Sequence, residues 1–270
     1  MLNKIKNLLS PGAVITPERI QYLRVVGLLV RRDLKVKYRG SFFGYLWSML
    51  NPLLFMLIIS FVFSKFMKGI PNYNLYVLSG ILCWNMANHS LVGGTHSIAG
   101  NGHLMRKIKM PIWVFPCVPL GTALVNLVLS LFPFFIVMLW TGILPTWNLL
   151  ALPIVIALFS VFLLGIALAL ATVNVFFRDV GHVLEPLLQL TFYATPIIYD
   201  RHRQGISESF YSLLGLNPFT QFIEAARSCL LGGIDQPDIT FAKLVGLAAL
   251  SLIVGTWSFK KAKTKIIFNL

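Results

Sequence analysis

Acidic side chains are scarce in this sequence. Of 270 residues only nine are Asp or Glu, against 23 Lys or Arg, a formal net charge of +14. Charged residues of either sign make up 12%, about half of the roughly 25% usual in soluble domains. So little charge excludes an ordinary soluble domain. The three cysteines, Cys83, Cys117 and Cys229, are widely spaced in apolar surroundings, which excludes a disulfide framework and predicts no metal site. No Gly-x-x-x-x-Gly-Lys-Ser/Thr stretch occurs, so the chain has no P-loop to hold a nucleotide. A Ser-centred nucleophile elbow and a His-Glu-x-x-His pair are also missing. Met1 to Ser10 has Lys4 and Lys6 but no apolar run of signal-peptide length, and no cleavable signal is expected. There is no internal repeat and no low-complexity tract.

What the chain has in quantity is apolar sequence. Hydrophobic residues make up 57% and the mean hydropathy is +0.77. These values describe an all-α integral membrane protein. In a soluble protein the positive charge would suggest nucleic acid. Here it sits beside apolar runs and reports topology, with membrane lipids as the neighbours and no nucleic-acid partner expected.

Six spans are predicted. Pro17-Glu18 opens a helical pattern with Thr16 as N-cap. Over 17–38, Leu23, Val26, Val30 and Leu34 fall on one face and Gln21, Arg24, Arg31 and Lys35 on the other, which describes an amphipathic helix in the membrane interface. Gly40 to Ser64 carries no charge and predicts a first span over 41–64, kinked at Pro52. A second span covers 75–98 and holds Asn85, Asn88, His89 and His96. The uncharged run from Met110 to Phe177 is too long for one span and breaks at 141–148, giving spans over 112–140 and 149–173. A fifth span covers 182–199 and a sixth 239–259. Between them, in 201–238, two short apolar pieces at 210–216 and 219–231 meet at Asn217-Pro218. Asn217 is a candidate cap and Pro218 a candidate first helical residue, so the pair reads as a re-entrant half-helix hairpin buried in protein.

An even number of spans puts both ends on one side. Seventeen of the 23 Lys and Arg residues lie at 4–39, 106–109, 178 and 260–265, on one side of the membrane. The other six are Lys65, Lys68, Arg201, Arg203, Arg227 and Lys243. The excess predicts both termini in the cytoplasm.

Polar and aromatic residues recur on two spans. Ser41, Tyr45, Ser48, Asn51 and Phe55 follow the helical period in the first, and Glu185, Gln189, Tyr193 and Pro196 in the fifth. Such stripes face protein or water in preference to lipid. Aromatic faces suit sugar rings, and helix packing accounts for the same residues equally well. On the first span, Trp47, Leu50 and Leu54 are expected to point away from such a path. Glu185 and Glu224 are the carboxylates nearest membrane depth, and Arg227 lies three residues past Glu224, within reach of a structural ion pair. His89 and His96 can share a helix face, but no carboxylate or thiol lies at that depth to complete a metal site.

The stretch Arg32 to Pro52, RDLKVKYRGSFFGYLWSMLNP, resembles the permease subunits of type 2 ABC exporters, as do Asn174 to Asp179, Thr195 to Tyr199 and Leu216 to Pro218. The resemblance covers nearly the whole chain as a single permease domain, 1–270, and runs closest to the Wzm-type permeases of O-antigen export and their capsule and teichoic acid relatives. It implies a homodimer paired with two copies of a separate ATPase subunit, which would bind ATP and Mg; no cofactor is expected in this chain. It implies an inner-membrane exporter that moves a lipid-linked polysaccharide, with Tyr45, Ser48, Asn51, Phe55, Gln189 and Tyr193 lining the channel. It places Arg31, Arg32, Lys35, Arg106, Lys107 and Lys109 against the ATPase, and makes the half-helices an outer gate carrying Glu224 and Arg227. A membrane-embedded glycolipid transferase is the rival reading, and it lacks a clustered acid and base. An ion-coupled transporter would show repeats and paired intramembrane charges.

The charge asymmetry makes a topology prediction. Single cysteines replacing Asn72 or Thr146 should react with an impermeant maleimide from outside intact cells. Those replacing Leu104 or Ile266 should react only after permeabilisation. Labelling at 104 from outside would overturn the six-span arrangement.

Overall fold

The computed structural model describes residues 18–67, 70–102, 104, 110–200, 214–232 and 240–269, with side chains placed for all but 18–20 and 264–269. Among the described residues there are helices and no strands. In chain order they are α1 (Glu18–Lys37), α2 (Leu46–Phe63), α3 (Tyr73–Gly100) and α4 (Val114–Trp140). A 3-10 turn (Trp147–Ala151) leads into α5 (Leu152–Phe176), followed by α6 (Asp179–Tyr193), α7 (Pro218–Leu231) and α8 (Phe241–Asn269). Four segments are long and apolar enough to cross a bilayer: Leu46–Phe63, Val114–Trp140, Trp147–Phe176 and Phe241–Lys263.

α3 is the centre of the molecule. It packs against α2, α4, α5, α6 and α7. Its polar side chains suit this position because they are satisfied within the helix. Ser79 Oγ donates to the Tyr76 carbonyl at 2.8 Å, Ser90 to Met86 at 2.6 Å, Thr95 to Leu91 at 2.7 Å and Ser97 to Gly94 at 2.6 Å. Small residues bring neighbours close. A Cβ on Gly94 would lie 2.7 Å from the Ala167 methyl of α5, and one on Gly93 would lie 2.8 Å from Pro119 of α4. Asn174 at the end of α5 donates to the Thr95 carbonyl at 3.0 Å and fixes the two helices lengthwise.

The interface helix is where expected, but its buried face is turned. Val25, Leu29, Val30 and Leu34 are buried, whereas Leu23 is 64% exposed. The face of α1 is set by the protein beneath it, since it packs on α4 and shares one apolar cluster with Phe115 and Val118 of α4, Ile98 of α3 and Leu168 of α5. Arg31 and Lys35 stay on the exposed side, and Arg32 pairs with Asp33 at 2.7 Å.

Two boundaries differ most from the sequence reading. The first span begins at Leu46, since Gly40 (φ 76°) and Gly44 (φ 49°) hold left-handed backbone that breaks the helix. Pro52 lies inside α2 as expected. The fifth apolar segment is helical only to Tyr193, and 195–199 are bent, because Pro196 cannot extend the backbone ladder. Of the half-helix pair, 214–216 are helical and α7 runs Pro218–Leu231; 210–213 lie outside the described residues. Asn217 Oδ1 caps α7 by accepting from the Phe219 amide at 3.0 Å, with Pro218 in the first turn.

α8 lies along α5 with almost no side chain between them. A Cβ on Gly255 would fall on the Gly165 carbonyl, and one on Gly165 on the backbone of Ser251. Ser251 Oγ donates to the Phe162 carbonyl at 2.7 Å across the same contact. Packing of this kind drives helix association where lipid removes the hydrophobic incentive. Gly165→Leu or Gly255→Leu should therefore destabilise the folded protein by about 2 kcal/mol or more. Gly246→Ala, on the same helix with nothing within 4 Å of the added carbon, should be neutral. The check is apparent melting temperature and monodisperse yield in detergent.

Candidate functional site

α2, α3 and α6 do not close on one another. Between them lies a cleft of about 900 Å³. α2 contributes Asn51, Leu54 and Phe55, and α6 contributes Glu185, Gln189, Phe192 and Tyr193. α3 supplies the back wall with Trp84, Asn85, Asn88 and His89. The structure thus brings the lower stripe of the first span and the stripe of the fifth to one cavity. Leu54, expected to face elsewhere, borders the same cavity, because α2 has only Pro52, Met56 and Ser60 buried and presents a wide face to it.

Aromatic rings frame the cleft. Phe192 sits 6.3 Å from Phe55 and 5.5 Å, edge-on, from Trp84, and Trp84 lies 5.8 Å from Phe219 of α7. Tyr193 continues the row 5.3 Å from Phe192. Amide groups alternate with these rings: Asn51, Asn85, Asn88 and Gln189. Flat apolar faces beside hydrogen-bonding groups form a surface suited to sugar rings, which have C–H faces and hydroxyl edges.

The cleft continues toward α1 as two smaller cavities. One of about 210 Å³ is bordered by Ser41, Trp47, Ser48 and Asn51, with Asn85, His89, Asn126 and Lys37. Trp47, also expected to point away, faces this space. The next, of about 360 Å³, is bordered by Arg32, Asp33, Lys37, His96 and Asn101. His89 borders all three cavities. Partial burial pushes the Lys37 ammonium below its ordinary pKa.

Tyr45 is the stripe residue that borders none of the three described cavities. It is 46% exposed, with its ring 4.9 Å from Tyr38. The Tyr38 hydroxyl donates to Asn126 Oδ1 at 3.2 Å. The left-handed glycine at 44 sets Tyr45 on the turn ahead of α2, which takes it off the helical face that periodicity assigns it. Pro196 also lies outside the cleft, where its carbonyl is a hydrogen-bond acceptor.

The two charged side chains of α7 are buried: Glu224 is 1% and Arg227 0% exposed. The hydrogen bonds of the Arg227 guanidinium run to Ser79 and to the carbonyls of Pro196 and Ile197. The structural ion pair expected from the Glu224–Arg227 spacing is thus replaced by backbone recognition across elements. Glu185, by contrast, is exposed in the cleft. Arg106, Lys107 and Lys109 lie outside the described residues. Among the described residues no three His, Cys, Asp or Glu side chains come together as a metal site.

The wall contributed by α3 was absent from the sequence reading of the site. Its signal was present, since Asn85, Asn88 and His89 interrupt an apolar run at three- and four-residue spacing and so share a face. Trp84 and Phe192 carried no signal to separate them from core aromatics.

A bundle of apolar helices around a polar, aromatic cleft, with a basic helix across one end, defines a membrane transport subunit. A sequence model of the ABC-2 type transporter family matches residues 24–231, and this chain belongs to that family. It is 34% identical over 238 residues to the O-antigen export system permease protein RfbA of Myxococcus xanthus, covering 88% of this chain and 90% of that protein. It is 32% identical over 242 residues to an RfbA of Klebsiella pneumoniae, covering 87% and 91%. With the polysialic acid transport protein KpsM of Escherichia coli the identity is 23% over 235 residues, covering 85% and 90%.

Proposed function

We propose that this chain is the membrane subunit of an ATP-driven exporter, moving a lipid-linked, O-antigen-like polysaccharide outward across the inner membrane. The observation that carries the reading is the cleft between α2, α3 and α6, where Phe55, Trp84, Phe192 and Tyr193 alternate with Asn51, Asn85, Asn88 and Gln189. The family membership and the relatives that export O-antigen and transport polysialic acid support the same substrate class.

In this reading α2, α3, α4, α5, the α6 segment through 199, and α8 are the six spans, with both termini cytoplasmic. Two copies of the chain face each other across the open sides of their clefts, so that the glycan passes between them. Large apolar side chains left exposed on α2 and α6, among them Ile58, Phe61, Leu187 and Leu190, suit such a partner. Two copies of a separate ATPase, holding ATP and Mg, dock on the cytoplasmic side. Arg31, Arg32 and Lys35 on α1 and Arg106, Lys107 and Lys109 between α3 and α4 in the sequence offer cations to that surface, where charge sets specificity and association rate.

Two outcomes test this. Tyr193→Ala and Gln189→Ala should lower export per molecule by about tenfold, each removing a contact worth roughly 1–2 kcal/mol along a repeated path, and should leave basal ATPase activity intact. The measurement is surface glycan normalised to monodisperse complex. Lower protein yield with unchanged normalised export would assign these side chains to packing. Replacing Arg106, Lys107 and Lys109 together by Glu should uncouple ATPase stimulation from export while the protein still inserts. Unchanged stimulation and export would make the three cations topology signals alone.

A further inference from the structure

α6 ends at Tyr193, but Thr195, Pro196 and Ile197 beyond it stay buried. From Thr195 to Tyr199 the backbone is non-helical, so its carbonyls lack helical partners. In apolar surroundings such groups must be satisfied by other protein atoms. Three side chains do most of this: Arg227, Tyr76, and Tyr73, whose hydroxyl donates to the Ile198 carbonyl at 2.9 Å. Both terminal nitrogens of Arg227 donate to the Pro196 carbonyl at 3.1 Å, and Nη2 also reaches the Ile197 carbonyl at 3.5 Å. Nε donates to Ser79 Oγ of α3 at 3.3 Å. The guanidinium carbon lies 3.6 Å from the centroid of the Tyr76 ring, and the Tyr76 hydroxyl donates to the Tyr199 carbonyl at 3.0 Å.

We propose that Arg227 is a positioning residue for transport: its guanidinium locks α3, the 195–199 segment and α7 into one block that stays closed through the transport cycle, and so holds Gln189 and Tyr193 on the cleft. The inference rests on the transport reading above. A planar fork of five donors suits this task, because it serves two carbonyls and a hydroxyl while lying flat on an aromatic ring. An ammonium has three donors and no flat face. The space is built for the fork: a Cβ on Gly80 would lie 2.8 Å from Nη2 and 3.0 Å from Ile197.

The block reaches the cleft through short links. The Tyr199 hydroxyl donates back to the Tyr193 carbonyl at 3.0 Å. Asn217 Nδ2, just ahead of α7, donates to the Ala194 carbonyl at 3.2 Å and to Thr195 Oγ1 at 3.0 Å. The last turn of α6, which carries Tyr193, is therefore tied to the element that Arg227 anchors.

The test uses the chain with its ATPase subunit and with Cys83, Cys117 and Cys229 changed to alanine. A thiol introduced by Ile197→Cys, at a site 0% exposed, should react with maleimide about tenfold faster when Arg227→Met is added, since local opening governs access to buried groups. Equal rates would overturn the lock. If Arg227→Met gives no monodisperse complex, Arg227→Lys, which keeps the charge and loses the fork, is measured the same way. A disulfide can then replace the guanidinium. The Cβ of position 80 lies 3.4 Å from Ile197 Cα, so the two Cα atoms are no more than about 5 Å apart, short of the ~7 Å beyond which a bridge cannot form. In Arg227→Ala, surface glycan per complex, read by periodate stain, should fall about tenfold. Adding Gly80→Cys with Ile197→Cys should restore most of it when oxidised and lose it again on reduction. An oxidised complex that exports no better than the reduced one would overturn a contact that stays closed. If the wild-type complex displays no glycan, the transport reading fails, and the thiol rates still decide the lock.

Discussion

The fold depends on keeping one polar helix out of lipid. α3 carries asparagines, histidines, serines and threonines that a lipid-facing helix could not keep without loss. Two devices make its burial possible. Hydroxyls turn back onto carbonyls of their own helix, so they need no partner from elsewhere. Glycines at 80, 93 and 94 let Arg227, Pro119 and Ala167 come within contact distance. α4 and α5 close on α3 along its length, and α8 closes on α5 through Gly165 and Gly255.

The cleft follows from where that enclosure stops. α2 is held by few buried residues and α6 by Gly181, Leu184 and Leu188. Neither seals the face of α3 that carries Asn85, Asn88 and His89, so amides and a row of contacting aromatic rings border an open space. The same face carries the path on toward α1, where apolar lining gives way to Arg32, Asp33 and Lys37. Chemistry therefore grades along one helix, from aromatic and amide in the main cleft to ionic beside α1.

Much of this was legible in the sequence, and the failures have physical causes. Hydropathy and the positive charges located the apolar segments, and Asn217-Pro218 marked the start of α7 correctly because capping is a local property. Periodicity placed Asn51, Phe55, Gln189 and Tyr193 on consistent faces. It misplaced Tyr45, because a left-handed glycine upstream of Leu46 resets the phase and glycine conformation is invisible to periodicity. It turned the face of α1, choosing Leu23 over Val25 and Leu29, because a mixed helix offers several apolar stripes and its neighbours choose among them. Arg227 suggested a partner one turn away, whereas its hydrogen-bond partners lie 30, 31 and 148 residues distant in sequence. Such contacts depend on how helices are arranged around α3, which no local pattern encodes.

The connection between α1 and α2 is short. Eight residues join the two helices, and they are folded into successive hydrogen-bonded turns. Tyr38 and Arg39 bond back to Leu34 and Val36, Ser41 bonds to Tyr38, and Leu46, Trp47 and Ser48 bond to Phe43, Gly44 and Tyr45. There is no slack in such a joint. Its free rotations are concentrated at Gly40 and Gly44, where the backbone lies in the left-handed region that only glycine enters readily. A displacement of α1 by a protein bound beneath it would therefore reach α2 as torque about those two residues, as in a crank. The wall of the cleft would swing, with no stretch of the chain lost to recoil on the way.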